Sequence, residues 1–63
     1  DSVDYIRSAI AALPPGQQEV MALSAYEGLP NDEIAKVTGF TNDNVRQLLS
    51  RARKRLRTIF KTA

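Results

Sequence analysis

Apolar residues recur at steps of three and four along four stretches of the chain, the spacing of a helix face that packs against a core. These stretches cover residues 2–13, 15–28, 31–38 and 42–60. Prolines separate the first two stretches, Gly28 ends the second and Gly39 follows the third. Because no alternating apolar and polar run is bounded by turn residues, the pattern predicts an all-helical domain with four helices.

Each predicted helix has one apolar side, and the four sides together predict the core. A chain of 63 residues buries only a modest core, so we expect a single domain over residues 1–63. The residues expected to face inward are Val3, Ile6, Ile10 and Leu13, then Val20, Met21, Leu23 and Tyr26, then Ile34, Ala35 and Val37, and finally Val45, Leu48, Leu49, Ala52, Leu56 and Ile59.

Residues with known preferences for helix ends flank these stretches. We expect Ser2 and Thr41 to cap the first and fourth helices, because a hydroxyl oxygen accepts a hydrogen bond from a free N–H of the first turn. Pro15 suits the first position of the second helix, where its missing N–H costs nothing. Gly28 and Gly39 are expected to end the second and third helices in the left-handed conformation.

The segment 31–50 has the plan of a helix-turn-helix, a short helix followed by a glycine turn and a longer helix. Ala35 supplies the small residue needed where the two helices touch, and Gly39 supplies the positive φ of the turn. Thr38 departs from the pattern, which favours a larger apolar residue there. The residues expected to pin the two helices together are Ile34, Phe40, Val45 and Leu48.

Charge is distributed unevenly, although the net charge is only +2. Residues 46–61 hold seven cations and no acid, while all seven acids lie in residues 1–43. A basic segment against an acidic body favours a polyanionic partner such as nucleic acid or a membrane surface. On charge alone, a solvated helix face is an equally good explanation.

Several classes of protein are disfavoured by what the chain lacks. It has no cysteine and no histidine, so it has no disulfide framework, no cysteine-based zinc site and none of the commonest general base. No nucleophile–base pair or phosphate loop is recognisable, so we expect neither an enzyme nor a cofactor. The apolar stretches are too short to span a membrane and no signal peptide is evident, and we expect a cytoplasmic protein. The start at Asp1 suggests a C-terminal fragment of a longer chain.

The second helix of a helix-turn-helix presents its N-terminal part to base edges in the major groove. Arg can bind guanine O6 and N7 together, Gln can bind adenine similarly, and Asp can accept from cytosine N4. Arg46 and Gln47 are the favoured readers, whereas Asp43 is equally explained as a favourable charge at the helix N-terminus. The expected base-reading residues are Asn42, Asp43, Arg46, Gln47, Ser50 and Arg51.

A second set of residues is expected to contact phosphate, which fixes the position of a protein on DNA without reading sequence. Asn31 begins the third helix, whose N-terminal N–H groups can also face a phosphate. The expected phosphate contacts are Asn31, Thr41, Asn44, Arg53, Lys54, Arg55 and Arg57.

A series of short segments carries a family resemblance across residues 12–57. The segments are Leu13-Pro14-Pro15, Val20 to Leu23, Glu27-Gly28-Leu29, Asp32-Glu33-Ile34-Ala35, Gly39, Val45-Arg46, and Leu49 through Arg57. Together they resemble region 4 of bacterial sigma factors of the sigma-70 family, most closely that of the extracytoplasmic-function group. The resemblance implies a four-helix domain that recognises the promoter −35 element and docks on the flap of the RNA polymerase β subunit. It also implies an anti-sigma factor as a further partner.

The chain departs from that group at several positions. Pro30 stands where the group usually has a capping Ser, and Asp43-Asn44 where it usually has Gly-Thr. The stretch Val45-Arg46-Gln47-Leu48 instead resembles primary sigma factors, whose Arg-Gln pair faces the promoter. This supports Arg46 and Gln47 as readers.

Two other interpretations stay open at this point. The chain is also compatible with the helix-turn-helix output domain of another regulator, of the response-regulator type, although such domains usually lack the basic tail. The other alternative is a module that binds no DNA, in which Tyr5, Ile59 and Phe60 form a docking surface.

Overall fold

A computed structural model describes the backbone of residues 2–62 and the side chains of residues 4–60. It contains four helices, α1 (Ser2–Ala11), α2 (Pro15–Ala25), α3 (Asn31–Thr38) and α4 (Asn42–Thr62), and no strand within residues 2–62. The predicted all-helical fold with a helix-turn-helix is therefore confirmed. The side chains of Ser2, Val3 and Lys61 lie outside the described part, so the expected cap at Ser2 and inward position of Val3 stay predictions.

The core lies where α4 crosses the other three helices, each of which it contacts. Every residue of the described part that is buried as a whole is apolar, so the core itself contains no charged or polar residue. The buried residues are Ala9, Ile10, Leu13, Val20, Met21, Ile34, Val45, Leu49 and Ala52.

Three residues predicted to face inward are exposed: Ile6 by 44%, Tyr26 by 47% and Val37 by 64%. Ile6 lies one turn before the buried end of α1. Tyr26 follows the last residue of α2, and its ring lies beneath the Arg7 guanidinium, 5.2 Å from ring centroid to Cζ. Around the axis of α3, Val37 lies on one side of Ile34 and Ala35 lies on the other. The side chain of Val37 is therefore beyond the packed side of the helix and reaches solvent.

The first two helices are shorter than the sequence predicts. α1 ends at Ala11 rather than Leu13, because a proline at position 14 disfavours helical backbone in the residue before it. α2 ends at Ala25, although Gly28 does adopt the predicted positive φ, at 68°. The Leu29 N–H then donates to the Leu23 carbonyl oxygen, 3.2 Å away, and closes the turn.

The turn between α3 and α4 is formed as predicted. Gly39 has a φ of 81° and donates its N–H to the Ala35 carbonyl at 2.8 Å. The Thr41 hydroxyl accepts from the Asn44 N–H at 3.0 Å, which is the expected cap of α4. These contacts fix where α4 starts, and hence which of its residues lie in the first turns.

Thr38 has a structural role that explains its departure from the apolar pattern. Its hydroxyl donates to the Ile34 carbonyl at 2.7 Å and accepts from the Phe40 N–H at 3.2 Å. The hydroxyl thereby satisfies the Phe40 N–H after the end of α3, which an apolar side chain would leave to solvent.

Substituting Gly39 by alanine is expected to lower the free energy of unfolding by about 1–2 kcal/mol. An added Cβ would meet no atom within 4 Å, so the loss comes from the left-handed backbone alone. Gly16→Ala is the matched control, since Gly16 lies in the first turn of α2 and a Cβ there makes ordinary 3.6 Å contact with Leu48. Urea unfolding that ranked the two variants equally would contradict this account.

Candidate nucleic-acid interface

The N-terminal half of α4 presents a polar face directly opposite its buried side. Successive residues of a helix are turned by about 100°, and Val45, Leu49 and Ala52 are buried. The opposite side of the helix carries Asp43, Gln47, Ser50 and Lys54, all exposed. Asp43 and Gln47, whose side-chain types can bind base edges, therefore lie at the centre of the exposed face.

The remaining predicted base readers flank this central row. Asn42 and Arg46 lie along one edge and Arg51 along the other, and all three are exposed. The fold thus places all six predicted readers on the exposed side of one helix. This surface is called the readout face below, and it consists of Asn42, Asp43, Arg46, Gln47, Ser50 and Arg51.

Two members of the readout face contact each other. The Arg46 Nη2 donates to the Asp43 Oδ1 at 2.9 Å, while their side chains stay 73% and 80% exposed. An ion pair this exposed contributes little to stability. The N-terminal cap of α4 is supplied by Thr41, so Asp43 is not the side chain that caps the helix.

The predicted phosphate contacts at the helix starts are all open to solvent. Asn31 is the first residue of α3, and Thr41 and Asn44 lie at the start of α4, all three exposed. The Thr41 hydroxyl uses its oxygen as the acceptor for the Asn44 N–H, so its proton is free to be donated to a phosphate oxygen.

The predicted phosphate-binding cations of the C-terminal half of α4 point in different directions. Lys54 continues the readout face, Arg55 lies along the edge of Arg51, and Arg53 and Arg57 lie along the edge of Arg46. All four are exposed. A single straight DNA segment against the readout face would reach only part of this set.

Two open grooves border this half of α4, and sequence reasoning identified neither. One is lined by Gln17 together with Arg51, Lys54 and Arg55. The Gln17 Oε1 is buried there without a hydrogen-bond partner among the described residues. Nothing in the sequence distinguishes Gln17 from its neighbour Gln18, since only the crossing of α2 over α4 brings it to the basic residues.

The second groove has an apolar floor and a basic rim. Met21, Leu56 and Phe60 form the floor, and Arg53 and Arg57 lie beside it. We call it the apolar groove. Its members come from α2 and from the last turns of α4, so they are far apart in the sequence.

Tyr5, Ile59 and Phe60, the docking surface of the alternative interpretation without DNA binding, lie close together. The rings of Tyr5 and Phe60 lie 5.4 Å apart between centroids, and the Tyr5 hydroxyl lies 3.5 Å from the Ile59 carbonyl oxygen. Both rings remain partly exposed. Their first role is to hold the start of α1 against the end of α4.

The described part of the chain holds no group of three acidic, histidine or cysteine side chains arranged to bind a metal ion. Within the same residues, no helix combines the length and apolar character needed to cross a bilayer.

A helix-turn-helix with an exposed polar face on its second helix is typical of DNA-binding domains. The family described as sigma-70, region 4 matches residues 4–56, and the chain belongs to this family. Sigma-70 region 4 is a DNA-binding region rather than an enzyme, and it binds promoter DNA and RNA polymerase. Comparisons with curated proteins and with solved structures gave no match.

Proposed function

We propose that this module recognises the promoter −35 element through the readout face, with Arg46 and Gln47 as the principal readers. The observation that carries the proposal is the exposed polar row opposite the buried side of α4, placed on the helix that reads DNA in a helix-turn-helix. Asn42, Ser50 and Arg51 flank these readers and extend the contact. The family match favours this interpretation over a response-regulator output domain.

The backbone of the same DNA is held by groups on either side of the readout face. Asn31, Thr41 and Asn44 lie at the helix starts, where free N–H groups also favour a phosphate. Further along, Arg53, Lys54, Arg55 and Arg57 supply positive charge. These contacts add affinity for any sequence, since phosphate is the same at every base pair.

The apolar groove is the surface we propose for docking on the flap of the RNA polymerase β subunit. Its floor lies toward the end of α4 and outside the readout face, so a partner seated on the floor leaves the base-reading residues uncovered. Met21, Leu56 and Phe60 offer an apolar floor of the kind that anchors a partner side chain. An anti-sigma factor that covers the same groove would prevent docking.

Three further proposals concern the group of sigma factors, the rest of the protein and its place of action in the cell. We place the module in the extracytoplasmic-function group on the segments named above, and we propose that it works together with other sigma regions in a longer protein. Because its target is the bacterial promoter, its place of action is the cytoplasm.

Gln47→Ala is expected to reduce the preference for the best promoter sequence over random DNA by about 5- to 100-fold, the range for losing one good base contact. Arg46→Ala should act similarly at a different base pair. The measurement is selection from a library randomised across the −35 element, using the module in its sigma factor reconstituted with RNA polymerase. Gln18→Ala, an exposed glutamine on α2, is the matched control.

An equal loss on promoter and random DNA would contradict a reading role for Gln47. If wild-type protein joined the polymerase but selected no sequence, the −35 assignment itself would be wrong. Failure to join the polymerase at all would instead contradict the docking proposal.

A further inference from the structure

The 2.9 Å contact between Asp43 and Arg46 lies within the readout face, so it affects how that face meets DNA. Its energetic value to the fold is small, because both groups are largely exposed. The contact restricts the rotamers that the Arg46 side chain can adopt. An arginine side chain without a partner samples many rotamers, and fixing them on binding costs free energy.

The geometry points to Asp43 as a positioning residue that holds the Arg46 guanidinium for base readout, rather than as a reader in its own right. This inference rests on the proposed function of the readout face. The contact runs from the second turn of α4 back to the first, so it draws the guanidinium toward the end of the helix that enters the groove. The carboxylate is the side chain that sets its orientation.

The hydrogen-bond count of the pair is compatible with this role. The contact engages one Nη2 proton of Arg46, and the guanidinium keeps further donors with which to bind guanine O6 and N7 together. The Asp43 carboxylate accepts from Arg46 with Oδ1 and keeps Oδ2 as an acceptor. Hydrogen-bond capacity therefore does not separate a positioning role from a contact to cytosine, and the two roles are distinguished by the base pair at which preference is lost.

Charge gives a second reason for this assignment. A carboxylate close to DNA phosphates is repelled, so Asp43 lowers affinity for every sequence. Such a residue improves recognition only if it increases the difference in binding affinity between the preferred sequence and other sequences. Restricting Arg46 to one direction does this, because a misdirected arginine also binds phosphates at unrelated sites.

The test compares base preference, position by position, for the module in its sigma factor reconstituted with RNA polymerase. Asp43→Ala is expected to reduce preference at the base pair read by Arg46 by about three- to tenfold, the range for immobilising one long side chain. Affinity for random DNA should not fall. Asp43→Glu keeps a carboxylate within reach of Arg46 and should restore most of the preference.

The double variant Asp43→Ala, Arg46→Ala should have the same profile as Arg46→Ala alone. Asp32→Ala, which removes the same type of residue from the first turn of α3, is the control and should leave the profile unchanged. A loss at a different base pair, adding to that of Arg46→Ala, would show that Asp43 reads a base itself and would overturn the inference. If Arg46→Ala left every position unchanged, the proposed readout would fail instead.

Discussion

Leu49→Ala is expected to destabilise the domain by about 3 kcal/mol, within the range for removing most of a buried leucine. Leu49 is almost completely buried at the centre of the core, where α4 meets the other helices. A domain of this size has a total stability of about 3–9 kcal/mol at the usual value per residue. At the lower end of this range, the substitution leaves a large part of the population unfolded.

The measurement is a thermal melt followed by circular dichroism, with an expected fall in Tm of about 12 °C or more. Ser50→Ala is the matched control, because it changes the exposed neighbour on the same helix and should shift stability by less than about 0.5 kcal/mol. A variant of Leu49 that melted with the control would show that the core is centred elsewhere. Loss of DNA binding by Leu49→Ala would follow from unfolding, since this side chain faces away from the readout face.

The triple variant Arg53→Gln, Arg55→Gln, Arg57→Gln is expected to weaken binding to all DNA sequences by about 10- to 100-fold at moderate salt. Each phosphate contact releases condensed cations, which contributes about 0.9 to the slope of log affinity against log salt concentration. Removing three cations should lower that slope by up to about 2.7. The ratio of promoter to random binding should stay the same, since these residues lie beyond the readout face.

The control for this variant is Lys36→Gln. Lys36 lies on α3 and is exposed beside Glu33, with 3.7 Å between Nζ and Oε1, so its loss should leave the slope unchanged. Because Arg55 lies on the opposite edge of α4 from Arg53 and Arg57, single substitutions will show which edge follows the DNA backbone. A triple variant with an unchanged slope would show that this half of α4 stays clear of DNA.

The helices were predictable because apolar spacing and end residues act over a few neighbours. The turn from Gly39 to Thr41 was anticipated in detail, since only a few residue types satisfy its backbone. The exposure of Ile6 and Val37 was not, because spacing shows which side of a helix is apolar but not how far the neighbouring helices cover it. The role of Thr38 was not predictable either. The apolar pattern shows only that a polar residue stands at this position, and not that its hydroxyl bonds to backbone groups.

The readout face was predictable as a set, because its members share one helix and their relative directions follow from helix geometry. The contact between Asp43 and Arg46 was not anticipated, although a spacing of three residues permits it. Neither groove was predictable from the sequence, since Gln17 and Met21 contact α4 only because two helices cross. The relative directions of residues on one helix therefore follow from the sequence, whereas surfaces shared between helices do not.

The contact between Tyr5 and Phe60 links two segments that are 55 positions apart in the chain. Closing so long a loop costs conformational entropy, which local helix formation does not repay. Fraying of the last turn of α4 therefore breaks this contact with α1, which couples the opening of the two ends. Since Phe60 also forms part of the apolar groove, the same opening removes one residue from the floor of the groove.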